Sequence, residues 1–212
     1  MTVGAKGLIR TGLISIGLLA AQSGDPAQAV SLSIPPLMTA PEMLMQLNQQ
    51  LILSKNAPRR LNAWCKNVLG DQQGIRVSQT NGAAPQPSAE IRQLLQVTYD
   101  TELSYLKLSY QCNRQVVAVY EHWYVPSLVP PELKDNLQQA DLQLGAQLRQ
   151  LGFYRQSLSN RPLWPETGAL PIFVLQHQAL WYRSDKTPFS AVTEHYTRQL
   201  LPLAQQGQHS PY

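Results

Sequence analysis

The fold is decided by residues 102–125, which read ELSYLKLSYQCNRQVVAVYEHWYV. In the first half of this stretch every second residue is large and apolar or aromatic, namely Leu106, Leu108 and Tyr110. A period of two is typical of a β-strand that buries one face. Residues 112–115 (CNRQ) then predict a turn, and residues 116–125 predict the returning strand of a hairpin.

The rest of the chain adds a second hairpin and several helices. Residues 172–183 and 189–199 predict two strands joined by a turn at 184–187, and shorter strands are expected at 74–80 and 153–159. Apolar residues at helical spacing predict helices that begin with caps at Thr39, Asn56 and Ser88, and two short helices at 132–139 and 142–151. Hairpins joined directly, with helices elsewhere in the chain, indicate an α+β domain with an antiparallel sheet and helices on one face.

The first 29 residues are typical of a secretory signal peptide. Lys6 and Arg10 precede an apolar stretch at 11–21, and Ala27-Gln-Ala29 has the small-x-small pattern of a cleavage site. The apolar stretch is too short to span a bilayer comfortably. We therefore expect a periplasmic or secreted domain at 30–204, a frayed tail at 205–212 and no stable membrane insertion after cleavage. An uncleaved N-terminus or a short membrane anchor is the alternative.

Composition and missing motifs exclude several classes of function. With 212 residues and 43% hydrophobic residues the chain can bury one core, and its charge of +4 comes from 17 basic and 13 acidic residues that are not clustered. Nucleic-acid binding is therefore not expected. The sequence contains no glycine-rich phosphate loop, no G-x-S-x-G elbow and no paired histidines or cysteines at metal-ligand spacing. Neither a metal nor an organic cofactor is expected.

The two cysteines, Cys65 and Cys112, can be interpreted in two ways. In an oxidising compartment they are candidates for a disulfide that closes a long loop and stabilises the domain. Two buried, unpaired thiols are the alternative.

Charged and polar residues inside the predicted hairpin strands are the candidates for function. They are Lys107, Glu121, His122, His177 and Glu194. A charged side chain in the middle of a strand is costly if it is buried without a partner, so it usually faces water or is paired. The alternative to a functional site is that these residues lie on the solvated face of a one-sided sheet.

Four stretches of these strands and of a helix, taken in order, resemble one known family. They are residues 105–110 (YLKLSY), 120–126 (YEHWYVP), 142–145 (LQLG) and 188–194 (PFSAVTE). Between about Arg59 and Pro202 the chain resembles the chorismate lyase family and its superfamily, which includes effector-sensing domains of some bacterial transcription regulators. The resemblance implies a twisted sheet of about six antiparallel strands, with helices over one face and a ligand cavity between.

The resemblance also implies a site. The family eliminates pyruvate from chorismate to leave 4-hydroxybenzoate, without a metal or organic cofactor. By position, Glu194 resembles the family's catalytic acid, while Lys107 and His122 lie where the family has two arginines. Leu144, just before Gly145, lies where the family offers a backbone N–H to its ligand.

The departures from the family weaken the expected positive charge. Lysine lacks the guanidinium fork that fixes the plane of a carboxylate, and histidine is mostly neutral at pH 7. We therefore expect a cavity for a small aromatic carboxylate, with elimination less favoured than binding. A non-catalytic sensing or carrier module of the same fold is the rival, as is an envelope interaction protein that binds through residues 161–171.

Overall fold

Six antiparallel strands form one sheet in the computed structural model, which describes residues 38–54, 56–80, 82–133, 144–164 and 169–202. The strands are β1 (Arg76–Gln79), β2 (Ser104–Cys112), β3 (Gln115–Tyr124), β4 (Tyr154–Pro162), β5 (Phe173–Tyr182) and β6 (Pro188–Thr197). Their spatial order is β1-β2-β3-β6-β5-β4. The α+β class with a six-stranded antiparallel sheet is confirmed.

Both predicted hairpins are present. The β2–β3 hairpin closes through Asn113 and Arg114, whose φ angles of 50° and 62° suit a two-residue hairpin turn. The Asn113 backbone N–H donates to Asp71 Oδ2 at 2.7 Å, and its side-chain amide donates to the Leu69 carbonyl at 2.9 Å. The turn is thereby tied to the segment that follows the second helix.

The helices α1 (Ala40–Ile52) and α2 (Ala57–Asn67) begin at the predicted caps. Thr39 forms a capping box with Glu42, and the Arg59 N–H donates to Asn56 Oδ1 at 3.1 Å. Both helices bury an apolar stripe against the face of the sheet that contains Leu106, Leu108 and Tyr110, which we call the core face. The stripe residues are Met43, Leu44, Leu47, Leu51, Leu61 and Trp64.

The third helix, α3 (Ala89–Leu95), packs on the opposite face of the sheet. Its Leu95 lies in a cluster with Trp123, Leu180 and Ala191, which alternate with the residues of the core face. Helices were expected on one face only. The difference arises because the opposite face is apolar at this end and must also be covered.

The predicted disulfide is present. Cys65 of α2 is bonded to Cys112 at the end of β2, with 5.9 Å between the Cα atoms, and both residues are buried. The bridge fixes α2 over the same end of the hairpin that Asp71 holds.

Several predicted segments lie outside the described residues. They are the signal peptide at 1–29, the tail at 205–212, most of the helix at 132–139, the start of the helix at 142–151 and residues 165–168 of the loop at 161–171. The fourth described helix, α4 (Leu144–Gln150), and the 3-10 turn Pro131–Leu133 border the gap at 134–143. In the described part of the chain no helix combines the length and apolarity needed to cross a bilayer.

Candidate ligand-binding site

Glu194 on β6 is the centre of a buried polar cluster on the core face. Its register partner on β3 is Tyr120, and only 2% of the surface of Glu194 is exposed. Arg155 Nη2 donates to Glu194 Oε1 at 2.8 Å, and the Tyr196 hydroxyl donates to Oε2 at 2.8 Å. A buried carboxylate needs such partners, because it has lost its contacts with water.

Two tyrosines extend the cluster towards β3. The hydroxyls of Tyr196 and Tyr120 lie 2.9 Å apart, and both side chains are fully buried. Burial and the nearby charge of Glu194 raise the pKa of both phenols well above the ordinary value. Both tyrosines therefore remain protonated. Tyr196 donates its single O–H to Glu194 and accepts from the Tyr120 hydroxyl.

Arg155 on β4 supplies the positive charge of the cluster. Burial by itself would lower the pKa of Arg155, but the charge of Glu194 and the hydrogen bond to it outweigh burial, so the pKa is raised. A second guanidinium nitrogen, Nη1, donates to Ser157 Oγ at 2.9 Å. The pair with Glu194 is charge-assisted, short and almost wholly removed from solvent.

His177 joins the cluster to α1. Its Nε2 atom lies 2.8 Å from Asn48 Oδ1, and its Nδ1 atom lies 3.8 Å from Glu194 Oε2. Burial lowers the pKa of His177, and this effect together with Arg155 exceeds the opposing effect of Glu194. The ring is therefore mostly neutral at pH 7 and connects the helix to the sheet through hydrogen bonding.

His122, the second predicted cation, also lies on the core face, because its neighbours across the strands are Leu106 and Val192. Burial lowers its pKa to about 4, so it contributes no positive charge at neutral pH. Its Nε2 atom is buried and has no hydrogen-bond partner in the part of the chain that the structure describes.

Lys107 is not part of this cluster, which corrects the expected site. Lys107 pairs in register with Glu121, and Glu121 pairs with Thr193 rather than with Glu194. Successive residues of a strand point to opposite faces, so Lys107 and Glu194 lie on opposite sides of the sheet. The Lys107 ammonium instead lies 3.0 Å from Glu121 Oε1, which also accepts from the Tyr105 hydroxyl at 2.7 Å.

Leu144 and Gly145 begin α4, and Gly145 comes near the Arg155 side of the cluster. A Cβ atom placed on Gly145 would lie 3.7 Å from Trp181 and 3.6 Å from the Arg149 guanidinium. Trp181 is the register partner of Arg155 on β5. The structure thus brings Gly145, but not Lys107, to the end of the site where the arginine lies.

A cleft of about 450 Å³ opens beside the buried cluster, and Arg155 belongs to both. One wall is the end of α1, and the other is formed by α4 and the start of β4. The lining residues are Ile52, Leu53, Ser54, Arg149, Gly152, Phe153, Tyr154, Arg155 and Ser157. Two arginines, the Phe153 ring and the aliphatic side chains at the end of α1 suit a small anion that contains an aromatic or apolar group.

Arg155 is the functional candidate that the sequence reasoning missed. It lies within the strand predicted at 153–159 and is the charged residue of that strand. The criterion that selected Lys107 and Glu194, a charge inside a predicted strand, applies equally to Arg155. Its partner could not have been recognised, because the pairing of β4, β5 and β6 brings it to Glu194.

The chain is similar to one curated protein and to several solved structures. No protein-family model matches it. An uncharacterized protein, y4mC of Sinorhizobium fredii, is 29% identical over 178 residues, which cover 75% of each chain.

Three of the solved structures to which this chain is similar show the low identity of these matches. They are PhnF of Mycobacterium smegmatis (12% identity, 60% of each chain, TM-score 0.47), the gene product SA0254 of Staphylococcus aureus (13%, 69% of this chain and 90% of the other, 0.47) and the effector-binding domain of the trehalose repressor of Bacillus subtilis (13%, 58% and 91%, 0.42). This chain therefore spans less than two thirds of PhnF. A function has to be argued from the chemistry of the site.

Proposed function

We propose that this chain is a small-molecule-binding domain that holds a carboxylate ligand through Arg155. The observation that carries the proposal is the position of this one side chain, which is anchored to the buried Glu194 and also lines the cleft. A guanidinium has five N–H donors in a planar fork. The hydrogen bonds to Glu194 and Ser157 use two nitrogens but leave donors for a ligand.

In this proposal Glu194 is a positioning residue and not the acid of an elimination. The hydrogen bond that Glu194 accepts from Arg155 fixes the position of the guanidinium. Arg155 and Tyr196 each donate to one of the two carboxylate oxygens of Glu194. Both oxygens are thus engaged inside the protein, whereas elimination of pyruvate from chorismate requires an acid group that reaches the leaving oxygen. Binding without elimination therefore fits the geometry better than lyase activity.

The cleft favours an aromatic acid as the ligand. Phe153 and Ile52 line it beside Arg155, so a ring can pack against apolar surface while its carboxylate meets the arginine. Small aromatic carboxylates such as 4-hydroxybenzoate combine both features.

We further propose that the domain is exported after cleavage near residue 29. The buried Cys65–Cys112 bridge supports this location, because disulfides persist in oxidising compartments. When the full chain is expressed in a Gram-negative host, fractionation and intact-mass measurement should give a periplasmic protein that lacks the first 29 residues. A full-length protein confined to the cytoplasm would contradict export.

Ligand binding is tested by calorimetry with a matched pair of compounds. We expect 4-hydroxybenzoate to bind at least tenfold more tightly than 4-hydroxybenzamide, which has the same shape and no charge. Arg155→Gln should abolish this preference. Arg161→Gln is the matched control, because Arg161 lies on the same strand but donates to Gln176 on the outer face.

Three results would count against the proposal. Equal binding of 4-hydroxybenzoate and 4-hydroxybenzamide would show that the site does not recognise the carboxylate of the ligand. A folded Arg155→Gln protein that binds 4-hydroxybenzoate like the wild type would show that Arg155 does not bind the ligand. Release of pyruvate from chorismate that is lost in Glu194→Gln would restore the lyase alternative.

A further inference from the structure

The corner between α1 and α2 exposes two aliphatic side chains beside two arginines. Leu53 is 84% exposed and Ile52 is 39% exposed, at the point where α1 ends. Arg59 and Arg60 are exposed in the first turn of α2, a few residues further along. We call these four residues the α1–α2 corner.

The corner belongs to a segment of one charge sign. Between Glu42 and Asp71 the sequence contains no acidic residue, but it contains Lys55, Arg59, Arg60 and Lys66. The salt bridges in the described part of the chain do not involve Arg59 or Arg60. Among the described residues, the positive charge of the corner is therefore not offset by an ion pair with a carboxylate.

The apolar part of the corner continues along α1. Met45 is 58% exposed and precedes Ile52 by seven residues, so the two side chains lie on the same side of the helix. A single exposed leucine is ordinary on a protein surface. Several exposed aliphatic side chains, close to arginines that form no ion pair in the described part of the chain, are the combination that binds at the interface of an anionic bilayer.

We infer that the α1–α2 corner docks on an anionic phospholipid surface. Leu53 and Ile52 enter the boundary between headgroups and acyl chains, while Arg59 and Arg60 meet the lipid phosphates. The contact is peripheral and requires no spanning helix. Ile52 and Leu53 also line the cleft beside Arg155, so the two proposals share part of one surface. Docking is measured without any small acid present, so its failure would leave the proposed carboxylate binding untouched.

Co-sedimentation with vesicles tests this inference. The full chain is expressed, the form that accumulates is purified, and its binding to phosphatidylglycerol vesicles is compared with binding to phosphatidylcholine vesicles. An uncleaved N-terminal segment would be the same in every variant, so the comparison between variants isolates the corner. We expect stronger binding to the anionic vesicles, weakened by added salt.

Variants of the corner give the expected magnitudes. Loss of each arginine in Arg59→Gln and Arg60→Gln should weaken binding about fivefold, and Leu53→Ser should weaken it about tenfold. Matched controls are Arg76→Gln on β1 and Ile172→Ser, an exposed aliphatic residue outside the corner. Both controls should bind like the wild type.

Any of three results would overturn the inference. They are equal binding to both kinds of vesicle, equal losses in the control variants, and unchanged binding in the corner variants. Size-exclusion chromatography provides a further check, because a dimer that dissociates in Leu53→Ser would assign the corner to a second copy of this chain instead of a bilayer.

Discussion

Removal of Arg155 should destabilise the domain far more than removal of an exposed arginine. In the pair of Arg155 with Glu194 the two side chains are only 9% and 3% exposed, and the nitrogen and oxygen are 2.8 Å apart. Arg155→Met would leave Glu194 as a buried charge without its cation. Breaking a buried pair in this way costs about 3–5 kcal/mol, equivalent to roughly 10 °C in Tm for a domain of this size.

The assay is urea denaturation followed by circular dichroism, with Arg183→Met as the matched control. Arg183 lies 3.6 Å from Asp185 in a pair whose side chains are 39% and 53% exposed, and such a pair contributes less than about 1 kcal/mol. The double variant Arg155→Met with Glu194→Gln should recover most of the loss, because it leaves no buried charge. Equal losses in Arg155→Met and Arg183→Met would refute the reasoning.

Three further predictions concern stability. Replacing Cys65 and Cys112 by serine should lower the free energy of unfolding by about 4 kcal/mol for a separation of 47 residues, and a denaturation midpoint that does not respond to reductant would contradict it. Because burial lowers the pKa of His122 to about 4, the unfolded chain binds a proton that the folded chain does not as pH falls from about 7 to about 4. The free energy of unfolding should therefore fall by up to ~3 kcal/mol between pH 7 and pH 4. Urea denaturation of His122→Phe at pH 7 and pH 4.5 should show a smaller fall than the wild type. An identical fall in both proteins would exclude His122 as the cause. Gly74→Ala should destabilise the domain more than Gly70→Ala in the same assay. Both glycines have positive φ, but only at Gly74 would a Cβ atom meet neighbouring side chains. We expect a loss of about 2–3 kcal/mol for Gly74→Ala and about 1 kcal/mol for Gly70→Ala, and equal losses would show that the contact of the added Cβ atom has no cost.

Local signals in the sequence predicted most of the secondary structure. The period of two around residue 106 and the capping residues Thr39 and Asn56 depend on a few neighbouring residues, so each could be recognised without knowledge of the fold. The disulfide was also predictable as a candidate. Its formation depends on the approach of α2 to the β2–β3 turn, which only the structure describes.

The site was only partly predictable, because its geometry depends on strand pairing. Glu194 was chosen as a candidate from its charge inside a strand and lies in the buried polar cluster, whereas Lys107, chosen by the same criterion, lies on the other face. Arg155 and Arg161 are six residues apart and would share a face in a regular strand. A register shift between Ser157 and Ser159 separates them, so Arg155 points to Glu194 and Arg161 to Gln176.

The pairing of β3 with β6 at the centre of the sheet has a consequence for folding kinetics. Each hairpin joins strands that are close in sequence, whereas the central pair joins Ala118 to Tyr196. Contacts between distant residues form late because their loop must close first, so we expect the two hairpins to form before they meet. The contact between the Tyr120 and Tyr196 hydroxyls is then absent from early intermediates. A ligand that needs the completed cluster should therefore slow unfolding without accelerating folding, and stopped-flow measurements that show faster folding would contradict this order.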